Sequence, residues 1–235
     1  MYLPGSPALK NGSGQTNVFP VCNTKERGKE MITLYTAIGT CKIKERKFPD
    51  VMAGGKEYGL GAQEFLIWSI LAFRILTYQE LRDEFYEKER ELHILGEAEF
   101  DDYLNRLLYR GLAASGCSET GIDALYLLLE HLQPQPVPRD PATNFLCFLH
   151  LWIVRKLPFR MAVSAFYSEK LSRKEKKMLS LLRGRTCSIK ELIHSTASEE
   201  DRKNCPDTTF LFANRDPVLV TISNLYLKQL LTFQP

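Results

Sequence analysis

The chain has 235 residues, of which 44% are apolar and 25% charged, and its formal net charge at neutral pH is +3. That length allows one large domain or two small ones, each able to bury its own core, and the composition is ordinary for a globular chain and gives no ground for disorder. A charge so close to balance permits nucleic-acid binding without arguing for it, so the distribution of charge along the chain has to decide.

Residues 1–30 are rich in Gly, Pro, Ser and Asn and read as a flexible tail. They lack the basic start and apolar core of a secretory signal. Residues 31–59 form a lead-in: "MITLYTAIGTCKIKERKF" (Met31–Phe48) predicts a strand or hairpin, and "AGGKEYGLG" a loop. A first unit then spans residues 60–132. "AQEFLIWSILAFR" is a strongly apolar helix with Phe65, Trp68, Leu71 and Ala72 on the helical period. "TYQELRDEF" (Thr77–Phe85) opens a second helix through a capping box, with Leu81, Phe85 and Leu92 facing inward. The third helix is "GEAEFDDYLNRLLYRGL" (Gly96–Leu112), where Phe100, Leu104, Leu107 and Leu108 make an apolar stripe and Gly111 suits a left-handed cap. "LAASGCSETG" suggests a stubby hairpin, and "IDALYLLLEHL" returns to helix.

Residues 133–169 begin with prolines at 134, 136, 138 and 141, expected to stiffen a linker, followed by an apolar central block that includes "FLCFLHLWIV" (Phe145–Val154). That run is far short of the roughly 20 residues a membrane span needs, so no membrane partner is expected. A second unit occupies residues 170–235. Ser172 caps its first helix, "SIKELIHST" (Ser188–Thr196) repeats the capping box, and "SEEDRKN" (Ser198–Asn204) adds a short helix. "TTFLFA", the turn "NRDP" and "VLVTIS" predict a β-hairpin before a closing helix "NLYLKQLLTF".

The two units repeat one another. Aligned without gaps, Leu60–Leu81 and Leu171–Leu192 share Leu60/Leu171, Glu64/Glu175, Ser69/Ser180, Leu71/Leu182, Arg74/Arg185, Glu80/Glu191 and Leu81/Leu192, against roughly one or two identities by chance. Such self-similarity at a fixed offset marks a repeated structural unit. "DALYLLLEHL" (Asp123–Leu132) is matched further on to "SNLYLKQLL" (Ser223–Leu231).

Three helices, a hairpin and a closing helix, with Leu104, Leu107, Gly111 and Leu112 supplying L-x-x-L-x-x-x-G-L across the end of the third helix, resemble the winged helix-turn-helix superfamily. The second unit lacks that pattern. The resemblance implies an α+β fold, mainly α with short β-hairpins, made of tandem winged-helix units. It also implies a sequence-specific regulator of transcription that binds double-stranded DNA as a homodimer. Asn105, Arg106, Tyr109 and Arg110 are the candidate readers on the first unit's third helix, although Glu97, Glu99, Asp101 and Asp102 crowd its start. The most basic stretch is Lys170–Arg185, from which Arg173, Lys174, Lys177, Arg183 and Arg185 are candidate phosphate contacts, extended by Lys190, Arg202, Lys203 and Arg215. "RKLPFR" (Arg155–Arg160) is placed in the same patch. The acidic third helix favours a rival, a winged-helix adaptor that binds a protein partner and no DNA; a small-molecule sensor using the central block is a third.

No catalytic role is read: Gly-rich phosphate loops, G-x-S-x-G and H-E-x-x-H are missing, and His93, His131, His150 and His194 have no acid or nucleophile at meaningful spacing. The six cysteines are scattered without C-x-x-C, which points to a reducing cytoplasm and to no metal or other cofactor.

Overall fold

Residues 31–42, 50–93, 98–137, 171–183, 186–196 and 207–235 are described by a computed structural model. They form helices and small antiparallel sheets, an α+β architecture. In chain order the elements are β1 (Ile32–Ala37), β2 (Thr40–Lys42), β3 (Asp50–Ala53), β4 (Lys56–Gly59), α1 (Ala62–Leu71), β5 (Leu76–Thr77), α2 (Tyr78–Leu92), α3 (Phe100–Tyr109), β6 (Ala113–Ser118), α4 (Gly121–Leu129) and β7 (Gln133–Pro136). Then come α5 (Arg173–Leu182), α6 (Ile189–Thr196), α7 (Asp207–Leu227) and β8 (Leu231–Gln234). The sheets are β5-β1-β6, β2-β3-β4 and β7-β8.

Both capping boxes close. The Thr77 amide donates to Glu80 Oε2 at 2.8 Å and the Glu80 amide returns to Thr77 Oγ1 at 3.4 Å. At the second start, the Ser188 amide donates to Glu191 Oε2 at 3.0 Å and the Glu191 amide to Ser188 Oγ at 3.3 Å. Leu81 and Leu192, one position beyond each glutamate, are fully buried, so the cap fixes where each helix begins and the leucine fixes which face turns inward.

Among the described residues one order recurs: a strand, three helices, and a second strand that pairs antiparallel with the first. β1 pairs with β6 around α1, α2 and α3, and β7 pairs with β8 around α5, α6 and α7. The third helices end alike. The Gly111 and Leu112 amides bond the Leu108 and Leu107 carbonyls at 3.1 and 2.9 Å, and those of Gln229 and Leu230 bond Tyr226 and Leu225 at 2.8 and 2.9 Å. Gly111 and Gln229 both have left-handed backbone, with φ of 68° and 57°. The L-x-x-L-x-x-x-G-L pattern is therefore represented in the second unit, by Ile222, Leu225, Gln229 and Leu230, with glutamine where the turn favours glycine. "SNLYLKQLL" accordingly matches the end of α3 and not "DALYLLLEHL", because α4 follows the paired strand whereas α7 precedes it.

Several expectations change. The stubby hairpin after α3 is the single strand β6, since Thr120 accepts the Asp123 amide at 3.2 Å and starts α4 where a return turn was expected. "AGGKEYGLG" is a hairpin whose two-residue turn, Gly54 and Gly55, has φ of 55° and 75°, the conformation in which glycine pairs are favoured. The prolines at 134 and 136 stand in β7, a two-stranded edge where their missing N–H groups are tolerated. The hairpin expected at Thr208–Ser223 is part of α7. Its β-branched run resembles a strand in composition, yet Val218, Leu219, Ile222, Leu225 and Tyr226 are buried on a helical period. Leu92 is 57% exposed beside the left-handed His93 that ends α2, not inward.

The apolar helices find cover within the chain: Leu66, Ile67, Trp68, Ile70 and Leu71 of α1 and Ala124, Leu128 and Leu129 of α4 are buried. α4 lies directly on β6, where a Cβ at Gly116 would stand 2.3 Å from the Ala124 carbonyl oxygen. Tyr226 of α7 locks the second unit to the first. Its hydroxyl accepts from Thr36 Oγ1 at 2.9 Å and the Phe73 amide at 3.0 Å, and donates to the Leu71 carbonyl at 3.2 Å. Further on, the Gly39 amide donates to the Phe233 carbonyl at 2.8 Å. No helix among the described residues is long and apolar enough to cross a membrane.

Candidate functional site

The buried glutamates shared by the two units explain where several candidate residues sit. Glu64 and Glu175 are 8% and 4% exposed. Each accepts a backbone amide at its helix start, from Gly61 at 3.2 Å and from Ser172 at 2.7 Å. Each also meets a cation from the end of the third helix: Arg110 Nη1 lies 3.0 Å from Glu64 Oε2, and Lys228 Nζ lies 2.9 Å from Glu175 Oε1. The Lys228 bond, followed by those from Ser172, holds the Glu175 carboxyl below its ordinary range against the opposing effect of burial. Arg110 additionally donates to the Gly59 carbonyl at 2.7 Å and stacks over Tyr58. Its guanidinium therefore ties α3 to α1 and β4, and it is a fold residue where a reader was expected.

The rest of the α3 face is open. Asn105 and Arg106 are exposed, and Tyr109 is 81% exposed. Arg106 lies over the Tyr103 ring and 3.8 Å from Glu64 Oε1. Asp101 and Asp102 share this exposed face, and Tyr78 donates to Asp101 at 2.6 Å. The corresponding part of α7 exposes Asp216, Pro217, Val220, Asn224 and Leu227, and no cation stands between Asp216 and Leu227.

Arg215, expected on a wing turn, lies inside α7. It pairs with Asp123 of α4 at 2.8 Å and with Asp216 at 3.0 Å, its guanidinium covers Tyr126, and its side chain is 11% exposed. It fastens α7 to α4. Arg173, Lys174 and Lys177, with Lys176, are exposed on α5; Arg183 is exposed at its end and Lys190 on the first turn of α6. Arg185, Arg202, Lys203, the short helix at Ser198–Asn204, the central block and Arg155–Arg160 lie outside the described residues. Among the described residues no three His, Cys, Asp or Glu side chains gather as metal ligands would.

Between α5 and α7 runs an open groove of about 220 Å³ that the sequence did not announce. Met178, Leu181 and Val218 form its apolar wall, with Thr221 beside them, and Lys174 and Lys177 stand on its rim. Its wall residues on α5 and α7 stand more than thirty positions apart in sequence, and α7 carries the segment expected to be a hairpin, so no local pattern could have shown it. Compared with protein-family models, curated proteins and solved structures, the chain matches none of them.

Proposed function

We propose that the chain is a protein-binding adaptor built from two winged-helix-like units. Support for the winged-helix reading comes from the recurring strand, three helices and strand, and from β6 leaving α3 where the resemblance puts the first strand of a wing. Its partner is β1, which comes from ahead of α1, so no two-stranded wing projects from α3 to grip a flanking phosphate backbone.

The observation that carries the adaptor reading is the surface of the two third helices. α3 presents Asp101 and Asp102 beside Asn105, Arg106 and Tyr109, and α7 presents Asp216, Val220 and Leu227 with no cation between Asp216 and Leu227. A helix entering a major groove needs donors and cations toward phosphate and base edges, and acidic or apolar faces meet proteins instead. The test is retention of a random-sequence duplex pool on the immobilised chain at physiological salt. The adaptor reading expects the pool to wash through. Retention with a sequence preference that Asn105→Ala or Arg106→Ala relaxes would overturn it.

A duplex-binding regulator is the second reading, favoured by the exposed cations Arg173, Lys174, Lys176 and Lys177 on α5, with Arg183 and Lys190 nearby. It predicts an affinity for duplex that falls by roughly 0.9 log units per neutralised phosphate for each log unit of salt. Joint neutralisation of Lys174, Lys177 and Arg183 lowers that slope for all sequences alike, since phosphate contacts position without specifying.

A further inference from the structure

The shared caps and ion pairs align α5 with α1, and the shared helix ends align Val218–Leu231 with Phe100–Ala113. On that alignment Leu66 and Ile70, both buried in the first unit, become Lys177 and Leu181, the latter 40% exposed. Phe100 and Tyr103, buried at 2% and 7%, become Val218 and Thr221. The groove between α5 and α7 thus stands where the first unit places two aromatic rings and two aliphatic side chains of its own. Phe100 to Val218 and Tyr103 to Thr221 lose apolar volume and Leu66 to Lys177 substitutes a charge, while Ile70 and Leu181 are alike in size and differ in being covered or exposed.

Nothing about α5 compensates for that loss. Lys174 and Lys177 make no ion pair among the described residues, while the carboxylate of the same helix, Glu175, is buried against Lys228 and unavailable to them. The site therefore joins an apolar floor, exposed at Leu181, to a rim of two lysines that have no ion-pair partner among the described residues. Apolar grooves of this kind take an amphipathic segment through a few anchoring side chains, and opposite charge at the rim sets its orientation and its rate of arrival.

We propose that the α5–α7 groove binds an acidic peptide segment of a partner protein through one aromatic or large aliphatic anchor, the carboxylates lying against Lys174 and Lys177. This rests on the adaptor reading and names the partner's chemistry. The anchor takes the place that Tyr103 and Phe100 hold in the first unit.

The probes are four fluorescein-labelled heptapeptides rich in Asp and Glu with Phe, Tyr, Trp or Leu at the centre, titrated by anisotropy against the full chain. At least one binds, with a dissociation constant on the order of 100 μM. Lys174→Glu with Lys177→Glu weakens it at least about tenfold, and replacement of the anchor by Ala abolishes it. Thr221→Tyr, which restores the first unit's ring at that position, removes binding without lowering the melting temperature. Leu181→Ser, a change at an already exposed position, weakens binding about fivefold and keeps the test intact should Thr221→Tyr disturb the fold. Absence of binding by all four peptides at millimolar concentration overturns the proposal. Binding that survives both Thr221→Tyr and Leu181→Ser places the contact elsewhere, which overturns the groove and leaves the adaptor reading standing. Duplex DNA bound at physiological salt through the same lysines, with no peptide bound, overturns both.

Discussion

At the residue scale, a buried carboxylate at the third position of the first helix is held twice by a cation from the end of the third. Removing the cation strands a buried anion, so Arg110→Met and Lys228→Met should each cost about 2 kcal/mol of stability in denaturant unfolding. Glu175 also carries a pH signature. Its carboxyl titrates below the ordinary value of 4.5, chiefly because of Lys228. Its contribution is accordingly complete above that value and is lost as pH falls through the lowered one. Unfolding of Glu175→Gln in acid should show a shallower dependence on pH than the native chain, and an identical profile would remove the ion pair from the account. A second pair of residues makes reciprocal demands. Gly111 and Gln229 occupy the same left-handed turn, and a Cβ at Gly111 meets nothing within 4 Å, so backbone conformation decides. Gln229→Gly should raise stability by about 1 kcal/mol and Gly111→Ala should lower it by about 1 kcal/mol, as read from thermal unfolding. The glutamates were visible in the sequence as an identical pair. What they hold was not, because Arg110 and Lys228 lie 46 and 53 residues away.

At the element scale, helix starts were legible and strand partners were not. A capping box is written within four residues, and Thr77 with Glu80 and Ser188 with Glu191 declare α2 and α6 locally. Thr77→Ala and Ser188→Ala should each cost about 1 kcal/mol. The double variant should lose the sum, because the two caps share no partner; a clear departure from additivity would mean that they communicate. Pairing is a different kind of information. β6 and β7 carry small residues and prolines that forbid nothing in particular, and β1 and β8 supply their register from far along the chain. The misreading of Val218–Ser223 has a related cause, since β-branched composition pointed to a strand while burial by its neighbours selected a helix. The candidate site suffered from both effects. Its cationic rim was legible as a basic run, and its apolar floor required α7 to be a helix lying against α5.

At the scale of the whole molecule, Tyr226 and the Arg215–Asp123 pair make the second unit an extension of the first rather than a separate body. Burial raises the Tyr226 phenol above its ordinary value, against the hydrogen bonds that oppose the shift. At neutral pH the hydroxyl therefore stays protonated and can donate to Leu71. Tyr226→Phe leaves the Phe73 amide and the Leu71 carbonyl without that partner, and should cost about 2 kcal/mol. The native chain should unfold in a single transition by tryptophan fluorescence and circular dichroism alike. In a Trp152→Phe background, where Trp68 is the remaining tryptophan and reports the first unit, Tyr226→Phe together with Arg215→Ala should separate the two probes; one coincident transition in that variant would show that other contacts couple the units.

The strand pairs that bracket each set of three helices also govern how quickly the chain finds its fold. β1 must wait for β6 and β7 for β8, with entire helical sets between them, so neither pair forms from neighbours in sequence. Loop-closure entropy has to be met before such a ladder gives anything back, and topologies dominated by distant contacts fold slowly. Capped helices α2 and α6 are local and form early by comparison. In refolding, helical signal should thus return ahead of the protection of the β1 and β8 amides from exchange with solvent.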